Sequence, residues 1–171
     1  MWTRILLAAA ASALAVLPAT TSTADDTDTS FTLLGGTLAI STPASTDLGS
    51  HSVNALLFSG QLGDVTVTDD RGALAAAWTA TVSSTNFTTG AASTSETVAN
   101  ANVAYSSGPA VTTGTGVFTP SVALGLALPG AAGVWTGVGS NSATWDPTIA
   151  VTLAPGRVAG VYTGTITHSV A

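Results

Sequence analysis

The two histidines are the first residues to consider for catalysis, because a serine-type hydrolase needs a base within hydrogen-bond reach of its nucleophile. His51 lies in the loop-like run Gly49-Ser50-His51-Ser52, and His168 lies on the apolar face of the last predicted strand. Such a face is typical of a core histidine satisfied by hydrogen bonds, and a binding role for His168 is the alternative. Neither histidine has a recognisable catalytic partner in the sequence.

The acidic residues do not form a catalytic pattern either. Glycoside hydrolysis needs two carboxylates about 5 to 10 Å apart across a cleft, and Glu96 is the only glutamate. The densest charged group, Asp69-Asp70-Arg71-Gly72, predicts a turn that closes the strand before it. Calcium binding by Asp69 and Asp70 is the alternative, although no spaced Asp-x-Asp-x-Asp series accompanies them. We therefore expect no enzyme, no metal site and no cofactor.

Aromatic side chains remain as candidates for ligand binding. Trp135 lies in Gly133-Val134-Trp135-Thr136-Gly137, and the flanking glycines leave little side-chain cover. This setting predicts a partly exposed ring and a binding contact. Most of the other aromatic residues are expected in the core: Trp78, Phe87, Tyr105, Trp145 and Tyr162.

Composition excludes several classes of protein. Cysteine is absent, which excludes a disulfide scaffold, a thiolate nucleophile and a cysteine metal site. Hydrophobic residues make up 46% of the chain and charged residues only 7%, so a packed globular domain is expected rather than disorder. Lysine is absent and the net charge is −6; binding to nucleic acid by phosphate neutralisation is therefore excluded.

The chain divides into three segments. Arg4, an apolar run over 5–17 and the small triplet Ser22-Thr23-Ala24 predict a signal peptide over residues 1–24, too short to span a bilayer. Its removal leaves two arginines against nine acidic residues, a net charge of −7. Residues 25–30 are predicted as a flexible acidic terminus, and residues 31–171 as a single domain. The protein is expected to be secreted.

Short strands dominate the predicted domain. Residues 74–84, 148–153 and 161–171 alternate between apolar and hydroxyl-bearing positions, which places Trp78, Ala80, Tyr162, His168 and Val170 on apolar faces. Weaker strands are predicted at 31–41, 53–59, 63–68, 98–105 and 116–118. The glycine-rich stretch 123–133 is predicted as a packed loop. Seven or eight strands without helices or disulfides predict an all-β fold: a two-sheet, immunoglobulin-like β-sandwich.

Two runs carry a resemblance to a known family. Residues 62–72 with Trp78-Thr79-Ala80-Thr81-Val82, and the ending from Trp145-Asp146-Pro147-Thr148 through 162–170, resemble the WxL cell-wall-binding surface domains of Gram-positive bacteria. The glycine-, alanine- and threonine-rich style is closer to actinobacterial members. The family's two Trp-x-Leu signatures read here as Trp78-Thr79-Ala80 and His168-Ser169-Val170. The resemblance implies non-covalent attachment to peptidoglycan and association with membrane-anchored companion proteins.

Two functions follow as expectations. The first is a non-catalytic domain at the cell wall or cell surface that binds a wall glycan or a companion surface protein. The second is a structural subunit that pairs its edge strands with itself or with a partner, because low charge leaves such edges poorly protected. Trp78 and His168 are either a packing element that joins two strands or an exposed binding pair, and the sequence leaves both open.

Overall fold

The computed structural model describes Thr23 and residues 25–171. The predicted signal peptide therefore lies, apart from Thr23, outside the described residues. The chain divides into two units, Met1–Leu33 and Leu34–Ala171. Residues 25–33 contain no helix or strand, and every strand of the described chain lies in the second unit.

The second unit is built from twelve strands and two single-turn 3-10 helices. The strands are β1 (Leu38–Ser41), β2 (Leu57–Gln61), β3 (Val65–Asp69), β4 (Ala76–Ser84), β5 (Phe87–Thr88), β6 (Thr97–Val98), β7 (Val103–Ser106), β8 (Val111–Pro120), β9 (Val122–Leu124), β10 (Gly130–Trp145), β11 (Thr148–Thr152) and β12 (Ile166–Val170). The helices are Thr94–Glu96 and Asn100–Asn102. The predicted all-β, sandwich-like fold is confirmed.

The strands form two larger antiparallel sheets and one small pair. In the first sheet, β8 lies on one side of β10 along most of its length. On the other side, β4 pairs with the first half of β10 and β3 with the second half. The outermost position is filled by β1 beside β3 and by β12 beside β4. The second sheet has the order β2-β11-β7-β9, and β5 pairs with β6.

One hydrophobic core joins the two larger sheets. Val65 and Val67 of β3 are fully buried, and so is Ile149 of β11, while Val151 is 4% exposed. The intervening threonines face outward, because successive side chains of a strand point to opposite faces. The alternating burial of β4 and β11 confirms the apolar faces predicted over 76–84 and 148–153, but Leu74, at the start of the predicted strand, is 87% exposed.

The prediction of a packed loop over 123–133 is wrong at both ends, although residues 125–129 do form a loop in which Leu126 is fully buried. This stretch holds β9 and the beginning of β10, the longest strand of the domain. Gly133 of β10 and Gly116 of the facing strand β8 make room for aromatic rings. A Cβ atom on Gly133 would lie 2.5 Å from the Phe118 ring, and one on Gly116 would lie 2.6 Å from the Trp135 ring. Glycine-rich composition therefore conceals strands in this part of the chain.

β10 bends sharply near its middle. Ten residues of straight strand span about 33 Å, yet the rings of Trp135 and Trp145 lie 6.3 Å and 6.4 Å from the ring of Trp78. The bend coincides with a register shift against β8 between Val138 and Ser142. Gly139 has φ 71° at this point, and Gly114 has φ 95° in the facing strand. Positive φ favours glycine, so these two residues allow both strands to turn together.

Candidate functional site

Trp78 lies in the core, at the centre of an aromatic cluster. Its side chain is 2% exposed, and its ring stacks on those of Trp135 and Trp145. Trp78 Nε1 donates a hydrogen bond of 2.8 Å to Oδ1 of Asn141, which lies at the bend of β10. Ala80, two residues further along β4, is fully buried. Both residues of the first signature are thus packing residues.

Asp69 and Asp70 do not converge on a shared site. The buried carboxylate of Asp69 accepts two hydrogen bonds of 2.9 Å from Arg71, at Nε and Nη2. Nη2 of Arg71 also donates to the carbonyl of Ala77 at 3.0 Å. The side chain of Asp70 is exposed, and its backbone pairs with Gly36 and Thr37. Because the two carboxylates lie in different environments, they do not form a joint pair of cation ligands.

The ion pair also shapes the electrostatics of this turn. Hydrogen bonds from Arg71 hold the pKa of Asp69 below its usual value, although burial acts in the opposite direction. Asn141 Nδ2 lies 3.4 Å from Asp69 Oδ2 and joins the pair to Trp78. Hydrogen bonds to a carboxylate favour its charged form. Hydrogen bonds therefore connect Asp69, through Asn141, to Trp78. This network lies where β10 changes its pairing partner from β4 to β3.

Trp135 is fully buried, so its predicted exposure is wrong. The flanking glycines do leave the ring without side-chain cover from its own strand. The ring nevertheless lies over the backbone of Gly116 in β8 and of Gly137 in β10, where any Cβ atom would approach it closely. Trp135 Nε1 has no hydrogen-bond partner among the described residues.

His168 packs against the second sheet as part of the second signature. Its ring lies edge-on to Tyr105 of β7, with centroids 5.5 Å apart, and Tyr105 accepts a hydrogen bond of 2.7 Å from Trp145 Nε1. His168 Nε2 is buried without a hydrogen-bond partner in the described chain, contrary to the expected satisfied core histidine. Burial lowers the pKa of His168 to about 4 and raises that of Tyr105 to about 12.

The two signatures meet along paired strands. β12 pairs with β4 so that Val170 faces Ala80 and His168 faces Val82. Val170 is half-buried and packs against the core. Trp78 lies beyond the end of this pairing, next to the backbone contact between Thr79 and Ala171. The arrangement is that of a packing element, and it brings no exposed pair of Trp78 and His168 together.

A cleft at another place in the domain is the candidate site. Its volume is about 490 Å³. One wall is the loop 46–53 between β1 and β2, and the other is the loop 157–164 between β11 and β12. The floor is apolar and comes from Phe58, Phe87, Val98, Val151 and Leu153. Pockets with an apolar floor and a few polar groups at the rim are typical of ligand sites.

Aromatic rings line this cleft on both walls. His51 stacks on Phe58 with ring centroids 4.0 Å apart and an interplanar angle of 17°. His51 Nε2 lies 2.9 Å from the carbonyl oxygen of Leu48, so Nε2 carries a proton if the ring is neutral. Opposite, the Tyr162 hydroxyl lies 3.0 Å from the carbonyl oxygen of Val158 and 3.2 Å from that of Ser95, and it shares its single proton between them. These contacts hold both rings in place before any ligand arrives.

Arg157 gives the cleft its positive charge. Its Nη1 donates to the carbonyl oxygens of Thr94 and Thr97, which fixes the guanidinium against the first 3-10 helix. In the described part of the chain the only ion pair joins Arg71 to Asp69. Arg157 therefore forms no ion pair at the cleft, which Asp47 also lines, and it can meet a carboxylate or another anionic group of a ligand there.

Reasoning from sequence named Tyr162 but missed Arg157 and the pairing of His51 with Phe58. The composition offered one signal for Arg157: the chain has few cationic residues, and one of them lies in the loop Pro155-Gly156-Arg157. The stacking of His51 on Phe58 brings together a loop and a strand edge, and no local pattern reports it.

Comparisons with protein-family models, curated proteins and solved structures found no match to this chain. The resemblance to WxL domains consequently stays a prediction. Across the residues that the structure describes, no helix has the length and apolar character needed to cross a membrane. Within the same residues, no three side chains of the histidine, cysteine or carboxylate type cluster as a metal site would require.

Proposed function

We propose that this protein is a secreted, non-catalytic domain of the bacterial cell surface that binds a cell-wall polymer, with peptidoglycan as the first candidate. The observation that carries the proposal is the cleft between the loops 46–53 and 157–164. Its stacked His51 and Phe58 and the ring of Tyr162 offer flat surfaces to sugar rings. Arg157 offers a cation to a carboxylate of the polymer.

The net negative charge of the protein favours binding through these specific contacts over general electrostatic attraction to the wall. The chain carries a net charge of −6, so anionic wall polymers are repelled at long range. Salt screens that repulsion. Binding through aromatic rings, hydroxyls and one arginine is therefore compatible with the overall charge, whereas binding through a basic surface is not.

The residues resembling the WxL family support the surface location, and their structural role is separate from the cleft. Trp78, Ala80 and Val170 contribute to the core. A packing role explains why the family pattern can change to alanine and valine here, since small apolar side chains still fit paired strands. The ligand would then be selected by the loops of the cleft instead of by the signature.

The test is retention of the purified chain on washed cell walls, measured by sedimentation with the walls. Ser50→Trp places a large side chain at the rim of the cleft and should abolish retention. Ser45→Trp makes the same change elsewhere in the connection between β1 and β2, at an exposed residue that does not line the cleft, and should retain binding. Retention should stay constant or rise with salt, because salt weakens the repulsion.

Two further variants separate the ligand groups. Arg157→Gln should weaken retention by about tenfold, the effect of a lost charge-assisted hydrogen bond of about 1.4 kcal/mol. Equal retention of Ser50→Trp and the unchanged protein would refute the cleft as the site. If neither the unchanged protein nor any variant is retained by walls, a companion surface protein becomes the proposed ligand. A control with a chelator shows whether a bridging cation is needed for retention.

A further inference from the structure

The side of the domain that β8 and β9 form has no charged residue in its strands. Residues 97–145 contain no lysine, arginine, histidine, aspartate or glutamate, although this stretch covers the whole run from β6 to β10. All acidic residues of the chain lie before or after it. In a protein with a net charge of −6, so long a neutral stretch concentrates the charges on the remaining surfaces.

Two sheet edges lie on this side. Among the described strands, β8 pairs only with β10 and ends the first sheet, and β9 pairs only with β7 and ends the second sheet. A single residue, Ser121, connects them, so the two edges are neighbours. Four apolar side chains of the edges are largely exposed: Val111 (80%), Val117 (64%), Val122 (66%) and Leu124 (88%).

β8 has little of the usual protection of an edge strand beyond the register shift near Gly114. It is ten residues long, it carries no charged side chain, and its only proline is its last residue, Pro120. Natural edges are commonly blocked by lysine, proline, bulges or covering loops. A shallow depression of about 310 Å³ lies along β8, lined by residues that include Pro109, Thr112, Val117 and Pro120, and apolar side chains of a partner can fill it.

We propose that β8 pairs in antiparallel fashion with β8 of a second copy of this chain, so that the first sheet continues across a two-fold symmetric dimer. The second copy is the occupant that the charges favour. Two acidic chains repel each other on every charged face, and the neutral side is where they can approach. Symmetric pairing also uses the same patch on both copies, which closes the assembly at two.

This inference develops the second expected function, assembly by edge-strand pairing, and does not depend on the ligand of the cleft. The cleft is built from the loops 46–53 and 157–164, whereas the dimer uses residues of 109–124. A variant of one surface should therefore leave the other surface intact, and the two proposals fail or succeed separately.

The test is sedimentation velocity of the full chain at rising concentration, up to about 1 mM to include weak association. Val117→Lys places like charges close together across the dimer and should leave a monomer at every concentration. Leu74→Lys makes the same kind of change at a side chain that is 87% exposed in the turn before β4, and it should dimerise like the unchanged protein. Circular dichroism checks that both variants fold.

Hydrogen exchange identifies the paired edge. Dimerisation should slow exchange of the outward-facing amides of β8 by about tenfold or more while leaving the free edges of β2 and β12 unchanged. A chain that stays monomeric at the highest concentration would overturn the proposal, and so would a dimer that Val117→Lys leaves intact. Protection shared between β8 and a different edge would also overturn it, since that pattern indicates a head-to-tail contact.

Discussion

Replacing Trp78 by alanine tests whether the first signature packs or binds. The side chain is 2% exposed and lies between the rings of Trp135, Trp145 and Phe118, at centroid distances of 6.2 to 6.4 Å. Removing a buried tryptophan costs about 3 to 5 kcal/mol. The change also leaves Oδ1 of Asn141 without its donor, which adds about 1 kcal/mol. We expect a total loss of about 4 to 6 kcal/mol, close to the whole stability of an ordinary domain.

The assay is equilibrium unfolding in urea, followed by circular dichroism because the substitution removes a fluorophore. Trp78→Phe is the matched control: it keeps an aromatic ring but loses the indole donor, and should cost about 1 to 3 kcal/mol. Wall retention of each folded variant is measured in parallel. If Trp78→Ala keeps its midpoint within about 1 kcal/mol and yet loses wall retention, Trp78 is a ligand-binding residue and the packing argument fails.

Three other substitutions test the polar and glycine contacts. Asp69→Asn should lower the free energy of unfolding by about 2 kcal/mol at pH 7. Because Arg71 lowers the pKa of Asp69 in the fold, the difference should shrink in acid, as the pH falls below the ordinary aspartate value of about 3.9. His168→Phe should flatten the pH dependence of stability between pH 6.5 and 4: the folded protein, with a histidine pKa of about 4, binds fewer protons there than the unfolded chain and loses stability as the pH falls. Urea titrations at several pH values measure both effects, and parallel curves for variant and parent would contradict them. Gly133→Ala should lower the thermal midpoint, since its Cβ would lie 2.5 Å from the Phe118 ring and overpacking costs about 1 to 3 kcal/mol; an unchanged midpoint would show that the ring can move.

Alternating side chains made part of this fold predictable. In β4 and β11 every second residue is apolar, and the structure buries those residues as the pattern indicates. β12 is shorter than the predicted strand over 161–171, because the loop 157–164 instead forms a wall of the cleft. The alternation of side chains, with its period of two, indicates only which face of a strand each residue occupies. It does not indicate where the chain leaves the sheet.

The predictions of a loop over 123–133 and of an exposed Trp135 failed because the glycines there serve packing. Gly133 and Gly137 indicate a lack of cover for Trp135, yet Gly133 gives space to the ring of Phe118 on the neighbouring strand and Gly137 gives space to the ring of Trp135 itself. Recognising this requires the register between β8 and β10, which depends on pairing across the sheet. Tertiary packing thus overrode the local preference of glycine for turns, and Trp135 is in the core for the same reason.

The same distinction applies to function. The polar residues that stand out in the sequence, Asp69, Arg71 and His168, are all engaged in or beside the core of the fold. Arg71 is neutralised by Asp69, and His168 packs on Tyr105. Arg157 is the arginine of the described chain that no ion pair neutralises, and it lines a cleft that also holds aromatic rings, hydroxyls and the carboxylate of Asp47. An anionic group of a ligand can gain a charge-assisted contact with this acidic domain there, which is why the cleft, and not the signature, is the place to look for the ligand.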